Sequence, residues 1–349
     1  MKTFVTQRQL YKSVKSIIAL SRKQVVSSVN TLMVRTYFEI GRRIVEYEQA
    51  GERRAKYARE TLKRLSKSLT SEFGKGYSVD NLELMRLFYL EYRRRAKTIA
   101  PTSSKKQTAI SETLSRISET PFRLSWSHYV QLLKIKDKQE RKFYEIETMQ
   151  NSWSVRELQR QFQSSLYERL ALSRDKNGVK TLARKGQIVE SPGDALKNSF
   201  VLEFLDLQEG LSYSESELET AIINKLEHFM LELGKGFLFE GRQRRLTFDN
   251  THFYVDLVFY NRLLRCFVLF DLKIGRLTHQ DIGQMQMYVN YYDRIVKMPE
   301  EGATIGIVLC KEDSKTIVEF TLPENNKQIF SREYKLYLPS KAALKKQLE

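Results

Sequence analysis

Three charged residues in the last third of the chain have types and spacing suited to chemistry. Asp256 lies within the apolar, strand-like run Phe253–Tyr260, and Asp271 and Lys273 stand at the end of the next such run, Leu264–Leu272. Hydrolysis of a phosphodiester with a divalent metal needs groups of this kind. Carboxylates hold a hard cation, the cation activates a water molecule, and a nearby lysine stabilises the charge that develops on the phosphate.

The alternation of a β-strand places Asp271 and Lys273 on one face and Leu272 on the other. The two charged side chains are therefore expected to share a cleft, and the main-chain carbonyl of Leu272 is a further candidate metal ligand. A carboxylate at the end of a buried strand is costly unless it is paired or bound to a metal. Together with Asp256, these residues alone leave a second interpretation open, an ordinary surface charge pair.

A helix predicted over Asp281–Tyr292 follows the lysine and can lie beside the same cleft. Gln284 and Tyr288 are four residues apart on it, so they share a face. An amide and a phenol in that place are candidates to position a water molecule or to bind phosphate. The alternative is a helix start with an ordinary buried tyrosine.

A third acid for the metal is expected from the helix predicted over Ser214–Leu233. Glu219 lies one residue from the apolar stripe of this helix and can reach the metal from the flank. The other acids on the helix, each more typical of a solvated surface, are Glu215, Glu217 and Glu227.

The charge of the chain is divided unevenly along its 349 residues. Residues 1–200 hold 40 lysines and arginines against 20 acids, a net charge of +20, whereas residues 201–349 hold 19 against 22, a net charge of −3; together they give the formal +17. Such asymmetry is typical of a polyanion-binding module joined to a second domain. A basic surface without a partner is the alternative.

The basic residues of the first part crowd helices and are candidates for contact with nucleic-acid phosphates, because guanidinium groups are forked and permanently charged. Such contacts give salt-dependent affinity that is largely independent of base sequence. The candidates are Arg42, Arg43, Arg53, Arg54, Lys63, Arg64, Arg93, Arg94 and Arg95. The same amphipathic helices can pack against a second copy, so we expect a homo-oligomer.

The patterns divide the chain into two domains. Helical periodicity predicts an all-helical domain over 1–177, interrupted by a mobile loop at about 96–120, where Pro101 and a run of serines and lysines break the pattern. A polar linker is expected over 178–199. Helix, short strands, helix and strand then predict an α/β sandwich with a mixed central sheet over 200–349.

Several classes of protein are disfavoured by what the sequence lacks. Cys266 and Cys310 have no metal-ligand spacing and are expected to be buried thiols. Met1–Leu10 has no signal-peptide pattern, and no apolar run approaches the roughly 18 residues of a membrane span. These observations favour a cytoplasmic protein without a membrane partner.

The combination of Asp256, Asp271-Leu272-Lys273 and Gln284-x-x-x-Tyr288 resembles the PD-(D/E)XK nuclease superfamily, in its branch with a Gln-x-x-x-Tyr element. Longer motifs in both halves are similar to the YhcG family. They include Tyr37-Phe38-Glu39-Ile40-Gly41-Arg42, Phe73-Gly74-Lys75-Gly76-Tyr77-Ser78, Leu124-Ser125-Trp126-Ser127-His128-Tyr129, Trp153-Ser154-Val155-Arg156-Glu157-Leu158, Leu231-Glu232-Leu233-Gly234-Lys235-Gly236-Phe237 and Val255-Asp256-Leu257-Val258-Phe259-Tyr260.

The resemblance implies a helical domain fused to a PD-(D/E)XK domain, and a bacterial DNA endonuclease acting in DNA processing or defence. Catalytic roles are expected for Asp256, Asp271, Lys273, Gln284 and Tyr288. Metal-ligand roles are expected for Asp256, Asp271, Leu272 and Glu219. Oxygen ligands without a histidine or cysteine cluster favour Mg²⁺, with Mn²⁺ as a substitute.

One departure from the superfamily pattern leaves an alternative open. Asp271 stands where many relatives carry the longer glutamate, so the site can be attenuated. The alternative is a non-catalytic nucleic-acid-binding subunit of a larger complex. RNA also stays open as the substrate, because the sequence has no recognisable reader of a 2′-hydroxyl.

Overall fold

The computed structural model describes residues 7–50, 55–97, 121–172, 174, 176–195, 197, 199–207 and 213–348. It divides into two compact units, residues 1–141 with 152–158 and residues 142–151 with 159–349. The predicted loop is described only over residues 96 and 97, where a helix ends; residues 98–120 lie outside the described part. Among the described residues no helix has the length and apolar content to cross a membrane.

The first unit is helical. Its helices are α1 (Gln7–Ala50), α2 (Ala55–Phe73), α3 (Val79–Lys97), α4 (Trp126–Leu133) and the beginnings of α5 (Lys138–Asn151) and α6 (Val155–Gln163). The helical periodicity over residues 10–48 belongs to one continuous helix, α1. Ser78 caps α3, since its hydroxyl accepts the Asn81 main-chain N–H at 3.3 Å.

Aromatic rings fill the core of this unit. Phe88 on α3 lies within 6 Å, centroid to centroid, of Phe38, Phe122, Trp126 and Tyr129. These rings cross at angles from 47° to 85°, the tilted and edge-on arrangements that aromatic pairs favour. The core therefore fixes α1, α3 and α4 against one another.

The second unit combines a sheet with helices on both faces. Its helices are the remainder of α5 and α6, then α7 (Leu166–Leu172), α8 (Lys176–Lys185), α9 (Pro192–Ala195), α10 (Glu215–Asn224), α11 (Leu226–Leu233), α12 (His279–Tyr291), α13 (Lys315–Thr321) and α14 (Lys341–Leu348). Its strands are β1 (Ser199–Val201), β2 (Phe237–Phe248), β3 (Thr251–Asn261), β4 (Cys266–Arg276), β5 (Ile305–Glu312) and β6 (Ile329–Lys335).

The sheet is mixed, as the sequence predicts, with the strand order β1-β6-β5-β4-β3-β2. The pairs β2–β3 and β3–β4 are antiparallel, and β4–β5, β5–β6 and β1–β6 are parallel. One face presents Phe259, Phe270 and Leu272 to Leu218 of α10 and Phe229 of α11. The other face is covered by α12, and its buried residues include Val258, Leu269, Met285, Tyr288 and Val308.

Gly306 on β5 allows α12 to approach the sheet closely. A Cβ at this position would come within 2.5 Å of the Met285 sulfur and 2.8 Å of a Val289 methyl group. Any larger residue would therefore have to displace the helix that carries Gln284 and Tyr288.

Irregular backbone divides or distorts several elements. The helical segment after Ser154 is divided at Ser165, whose φ is +53°. The helix expected over Ser214–Leu233 is divided at Lys225, where φ is −118° and ψ is 30°. The strand β2 has a bulge between Phe239 and Gly241. The sequence also gave no prediction of β1, α13 or α14.

A buried ion cluster ties the helices before the sheet to the sheet itself. Glu232 on α11 is fully buried and lies 2.5 Å from Arg169, 3.5 Å from Arg160 and 3.5 Å from Lys197. Its Oε1 also accepts the Val201 main-chain N–H at 3.1 Å. Burial alone would raise the pKa of Glu232, but the three basic groups lower it to about 2.

Three cations surround one carboxylate in this cluster, so two positive charges are in excess, one of which Glu203 offsets at 3.0 Å from Arg160. Burial lowers the pKa of Lys197 to about 7, which makes this lysine the group that yields a proton most easily. Arg160, Arg169 and Lys197 precede residue 200, the expected start of the second domain. The predicted limits, 1–177, 178–199 and 200–349, thus differ from those of the compact units.

Candidate active site

The site forms where two strands separate. β3 and β4 are paired from Asn261↔Cys266 to Leu257↔Phe270, and beyond that point β3 pairs with β2 while β4 pairs with β5. Asp256 is the first residue of β3 past the last pair. Its Oδ2 accepts the main-chain N–H of Leu272 at 2.7 Å, so a side chain replaces the next rung of the ladder.

This bond fixes the direction of the Leu272 carbonyl as well. In an extended strand the N–H and C=O of one residue point to the same side, so the carbonyl oxygen of Leu272 faces the gap in which Asp256 lies. The Leu272 side chain is buried with the α10–α11 cluster. It therefore lies in the helix layer, as the strand alternation predicts.

Asp271 and Lys273 form an ion pair within this gap. Lys273 Nζ lies 3.0 Å from Asp271 Oδ2, and the Asp271 side chain is only 3% exposed. Burial raises the pKa of Asp271 to about 7; Lys273 opposes this rise, and the nearby Asp256 carboxylate adds to it. Burial would lower the pKa of Lys273, but the Asp271 carboxylate raises it above its ordinary value.

Glu219 is connected to the strands through a residue that the sequence did not single out. Gln243 on β2 lies opposite Asp256, between the pairs Arg242↔Leu257 and Arg244↔Val255. Its Nε2 donates to Glu219 Oε2 at 2.7 Å and to Asp256 Oδ1 at 3.0 Å. The structure thus brings the predicted helix acid to the predicted strand acid.

The pKa values of both acids are raised by burial. For Glu219 the Gln243 hydrogen bond opposes this effect, and the Asp256 carboxylate reinforces it. For Asp256 the Leu272 amide and Lys273 oppose it. Glu219 and Asp256 therefore hold a proton more firmly than an exposed carboxylate does, and repulsion between neighbouring carboxylates contributes to this.

Gln284 and Tyr288 share a face of α12, as their spacing predicts. Gln284 Nε2 donates to the Tyr288 hydroxyl, and that hydroxyl donates to the Tyr254 carbonyl oxygen at 2.9 Å. Tyr288 is fully buried, and burial raises its pKa to about 12. The pair therefore anchors α12 to β3 two residues before Asp256.

Glu215, one of the other acids on the helix that carries Glu219, also reaches the site. Glu215 Oε2 lies 3.6 Å from Lys273 Nζ, and its side chain is 45% exposed. Glu217 instead caps its own helix, since it accepts the Ser214 main-chain N–H at 2.6 Å. Glu215 is thus a second, more hydrated partner for Lys273 beside Asp271.

The chemistry of the donor set fits a hard divalent cation. Asp256, Asp271 and the Leu272 carbonyl supply oxygen atoms at one gap, and Glu219 is held beside Asp256. Burial is the main cause of the raised pKa of Asp271, and repulsion from the Asp256 carboxylate adds to it; a cation bound between the two carboxylates would relieve that repulsion. Within the described residues no group of three acidic, histidine or cysteine side chains stands ready-made for a metal, so Glu219 belongs to the set through Gln243.

The candidate phosphate-binding residues of the helical unit differ in their surroundings: some form ion pairs with acids of their own helix, and others are exposed. Arg42 contacts Glu39 at 2.7 Å and Glu46 at 3.4 Å, and Arg43 contacts Glu46 at 3.2 Å. Lys63 lies 3.8 Å from Glu60. Arg64, Arg93 and Arg94 are exposed. Arg53 and Arg54 lie outside the described residues, as does the side chain of Arg95.

His128 has structural partners. Its Nδ1 lies 2.7 Å from the Ser125 hydroxyl and its Nε2 lies 3.0 Å from the Trp153 carbonyl oxygen. Burial lowers its pKa. The histidine therefore holds the start of α4 to the turn before α6.

Both parts of the chain match known protein families. Residues 193–349 match the family model described as the YhcG PDDEXK nuclease domain, and residues 13–169 match the DUF1016 N-terminal domain. The chain is 41% identical over 353 residues to the protein named "Putative nuclease YhcG" of Escherichia coli strain K12, covering 98% of this chain and 93% of that protein.

The chain belongs to the YhcG family. Its second part is accordingly a PDDEXK nuclease domain, and the sequence-based prediction of family and fold class is confirmed. The YhcG-family match places the separating strands β3 and β4, with Asp256, Asp271 and Lys273, inside the nuclease domain.

Two solved structures align with part of this YhcG-family chain. A repair endonuclease from Pyrococcus abyssi covers 38% of this chain and 50% of its own, with 17% identity and a TM-score of 0.25. The EndoMS–dsDNA2 complex covers 39% and 50%, with 17% identity and a TM-score of 0.26. Overlaps this partial say nothing about substrate.

Proposed function

We propose that the protein is a metal-dependent DNA endonuclease that hydrolyses phosphodiester bonds. The observation that supports this most is the convergence of Asp256, Asp271 and Lys273 at the point where β3 and β4 separate. There a buried carboxylate lies 3.0 Å from a lysine, and the second carboxylate is fixed by a main-chain amide at 2.7 Å.

Asp256, Asp271, Glu219 and the Leu272 carbonyl would hold Mg²⁺, for which Mn²⁺ can substitute. The bound cation supplies Lewis acidity, lowering the pKa of a water molecule and neutralising charge on the phosphate. Asp271 has to give up its proton before it can bind a cation. Lys273, whose pKa is raised, favours that deprotonated form.

Lys273 is proposed to contact the scissile phosphate. Its ammonium group is held at 3.0 Å by Asp271 and at 3.6 Å by Glu215, so it is positioned before the substrate arrives. A preorganised cation of this kind stabilises developing negative charge without reorganisation during the reaction. Glu215, being partly exposed, is the contact that a phosphate can displace.

Gln284 and Tyr288 are proposed to position the site rather than to touch the substrate. The Tyr288 hydroxyl is committed to the Tyr254 carbonyl oxygen at 2.9 Å and is supported by Gln284. Holding β3 at Tyr254 fixes Asp256 two residues later. Loss of either side chain would loosen the carboxylate without removing a reacting group.

The helical unit is proposed to bind the DNA backbone and to support a homo-oligomer. Its excess of lysine and arginine suits sequence-independent phosphate contact. A nuclease with one site per chain needs a second copy to cut both strands of a duplex at once. Oligomeric state would be measured by sedimentation with and without DNA.

A panel of substrates tests the activity. Purified protein would be incubated with linear, supercoiled, single-stranded and branched DNA and with matched RNA, in Mg²⁺, Mn²⁺ or EDTA. We expect cleavage of DNA that requires the metal and is lost in the Asp256→Asn variant. Cleavage that persists in EDTA or in that variant would contradict the proposal, and cleavage of RNA alone would move the substrate class.

A second function is a nucleic-acid-binding subunit with an attenuated site. It is favoured by one observation: Lys273 and the short Asp271 already form an ion pair at 3.0 Å, and burial raises the pKa of that acid to about 7. Titration with Mn²⁺ separates the two functions. Absence of binding at pH 8, together with intact DNA binding, would favour the second.

A further inference from the structure

Gln243 lies between two carboxylates of the site, a position that neither its residue type nor its sequence neighbours predict. It lies on β2 between Arg242 and Arg244, opposite Asp256 on β3. Its single amide nitrogen donates to carboxylates on two different elements, Glu219 Oε2 on α10 at 2.7 Å and Asp256 Oδ1 on β3 at 3.0 Å.

The backbone of Gln243 is unusual for a strand. Its φ is +47°, in the left-handed region that residues other than glycine seldom adopt. Such conformations persist where surrounding contacts determine them, and they cluster at functional sites. Two hydrogen bonds to carboxylates are contacts of this kind, so the main chain turns at this residue and its amide reaches both acids.

Glu219 depends on this amide for its connection to the strands. Its carboxylate is buried, and Gln243 is the hydrogen-bond donor found for it among the described residues. Arg242 and Asp256 act on it only through their charges. Without Gln243, nothing described would hold a helix carboxylate towards a strand carboxylate that repels it.

The chemistry of an amide suits this role. The NH₂ group carries two hydrogens, so it can donate one to each carboxylate. A lysine here would neutralise the acids and compete with a cation, whereas a carboxylate would add a third negative charge. The amide stays neutral across the whole pH range, and therefore keeps the two acids together without taking the charge that a cation would take.

We propose that Gln243 is a positioning residue that couples Glu219 to Asp256, so that both carboxylates serve one divalent cation. The inference rests on the proposed function for its biological meaning, but it concerns metal binding and can be tested without nucleic acid. The expected metal site draws on β3, β4 and α10, and Gln243 adds a residue on a fourth element, β2.

A double-mutant cycle tests the coupling. Mn²⁺ affinity would be measured by calorimetry at pH 8 for the full-length protein and for Gln243→Ala, Glu219→Ala and the double variant. We expect Gln243→Ala to weaken Mn²⁺ binding roughly tenfold, the lower limit for loss of a group that orients a metal ligand. We expect the double variant to bind no more weakly than Glu219→Ala alone, because Gln243 acts through Glu219.

Two further variants separate the side chain from the backbone. Gln243→Gly removes the amide but tolerates the positive φ, so it should weaken Mn²⁺ binding as Gln243→Ala does while lowering the melting temperature in EDTA less than Gln243→Ala. Gln286→Ala, the same kind of change on the exposed surface of α12, should bind Mn²⁺ like the unaltered protein.

Unchanged affinity in Gln243→Ala and Gln243→Gly, tighter binding in either, or additive effects in the cycle would overturn the inference. Coupling between Gln243 and Glu219 without cleavage of any substrate would support the inference and overturn the proposed function. Metal-dependent cleavage without this coupling would support the proposed function and overturn the inference. An unaltered protein that binds no Mn²⁺ would overturn both.

Discussion

The main-chain N–H of Leu272 donates to Asp256 Oδ2 at 2.7 Å where the β3–β4 ladder ends. A proposed metal ligand therefore also satisfies a main-chain group that the separation of two strands would leave unpaired. The Asp256 carboxylate thus has a structural role, as acceptor of the Leu272 N–H, and a proposed chemical role as metal ligand. Substitutions at Asp256 can distinguish the two roles.

Replacement of Asp256 by asparagine or alanine should abolish metal-dependent cleavage but affect stability differently. Asparagine keeps an oxygen that can accept the Leu272 N–H, and it removes a charge whose burial is unfavourable. Alanine leaves that N–H without its acceptor, at a cost of about 1–3 kcal/mol. We expect at least a hundredfold loss of cleavage in both variants, and loss of stability in urea unfolding only for alanine.

The control is Asp249→Asn, at an exposed position in the β2–β3 turn. It should leave cleavage and stability unchanged. Equal destabilisation by asparagine and alanine at position 256 would show that the Leu272 bond contributes little.

Metal affinity should depend on pH through Asp271. Its pKa is raised to about 7, so below that pH a proton must be removed before the cation binds. We expect Mn²⁺ binding to weaken as pH falls from 8 to 6 and to release protons, measured by calorimetry in buffers of different ionisation enthalpy. An affinity equal at both pH values would contradict the assignment of Asp271 as a ligand.

The same shift has a consequence for stability in EDTA. The folded-state pKa of Asp271 lies above its unfolded value, so the folded protein holds the proton more firmly between pH 4 and 7. Its contribution to stability is therefore lost as pH rises through that window. Asp271→Asn should remove this slope, and urea unfolding at pH 5 and 8 would detect the change.

Lys273→Met should reduce cleavage and expose the cost of the buried acid. Loss of a preorganised charge at the reacting phosphate typically lowers kcat by about 10²–10³. Without the lysine, nothing offsets the charge of Asp271, so the melting temperature in EDTA should fall more at pH 8 than at pH 5. Lys335→Met, which removes a lysine paired at 3.8 Å with Glu333, is the control for both measurements.

The buried ion cluster predicts the limits of the folding unit. A fragment of residues 200–349 lacks Arg160, Arg169 and Lys197 and leaves Glu232 buried without a counter-charge. Breaking a buried ion pair from one side costs about 3–5 kcal/mol, so this fragment should be unfolded. A fragment of residues 142–349 keeps all three partners and should unfold cooperatively in urea, monitored by circular dichroism.

A point variant gives the same test in the full-length protein. Glu232→Gln should be strongly destabilising, whereas Glu203→Gln, which removes a more exposed partner of Arg160 at 3.0 Å, should be milder. Similar stability of the two variants would contradict the importance of the cluster.

DNA affinity should depend on the arginines of the helical unit for which no acidic partner is found among the described residues. Arg64 and Arg93 are exposed, whereas Arg42 and Arg43 contact Glu39 and Glu46. We expect Arg64→Gln and Arg93→Gln each to weaken binding and to lower the salt slope by about one, since each removes one phosphate contact. Arg43→Gln should have less effect. Fluorescence anisotropy in EDTA at several salt concentrations would measure both quantities.

The sequence predicted the site where the chemistry is carried by local pattern. Asp256, Asp271 and Lys273 are recognisable in the sequence because they are charged residues within or next to strands that are otherwise apolar. Gln284 and Tyr288 follow from helical spacing. The roles assigned to these residues remain predictions, although the structure places them together.

Gln243 could not be found in this way. Its function depends on a positive φ and on two partners that lie 24 residues before it and 13 residues after it. Neither local composition nor periodicity contains that information. Glu215 was left among the solvated acids for a related reason, because its approach to Lys273 depends on how α10 lies across β4.

The helices before the sheet show the same limit on a larger scale. Polar composition with Pro192 and Gly193 indicated a linker over 178–199, yet α8 continues to Lys185, α9 begins at Pro192, and Lys197 is buried. Buried charge looks like surface charge in a sequence until its partners are known. Arg169 and Glu232 are 63 residues apart, so their pairing was beyond any short-range pattern.

That pairing bears on how such proteins can be recombined. Arg169 is the last residue of the N-terminal family match, and Glu232 belongs to the C-terminal one. A chimera joined between residues 170 and 192 would take each partner from a different parent. Exchange of the N-terminal and C-terminal parts between two relatives is therefore expected to give a stable protein only when both relatives carry the Arg169–Glu232 pair.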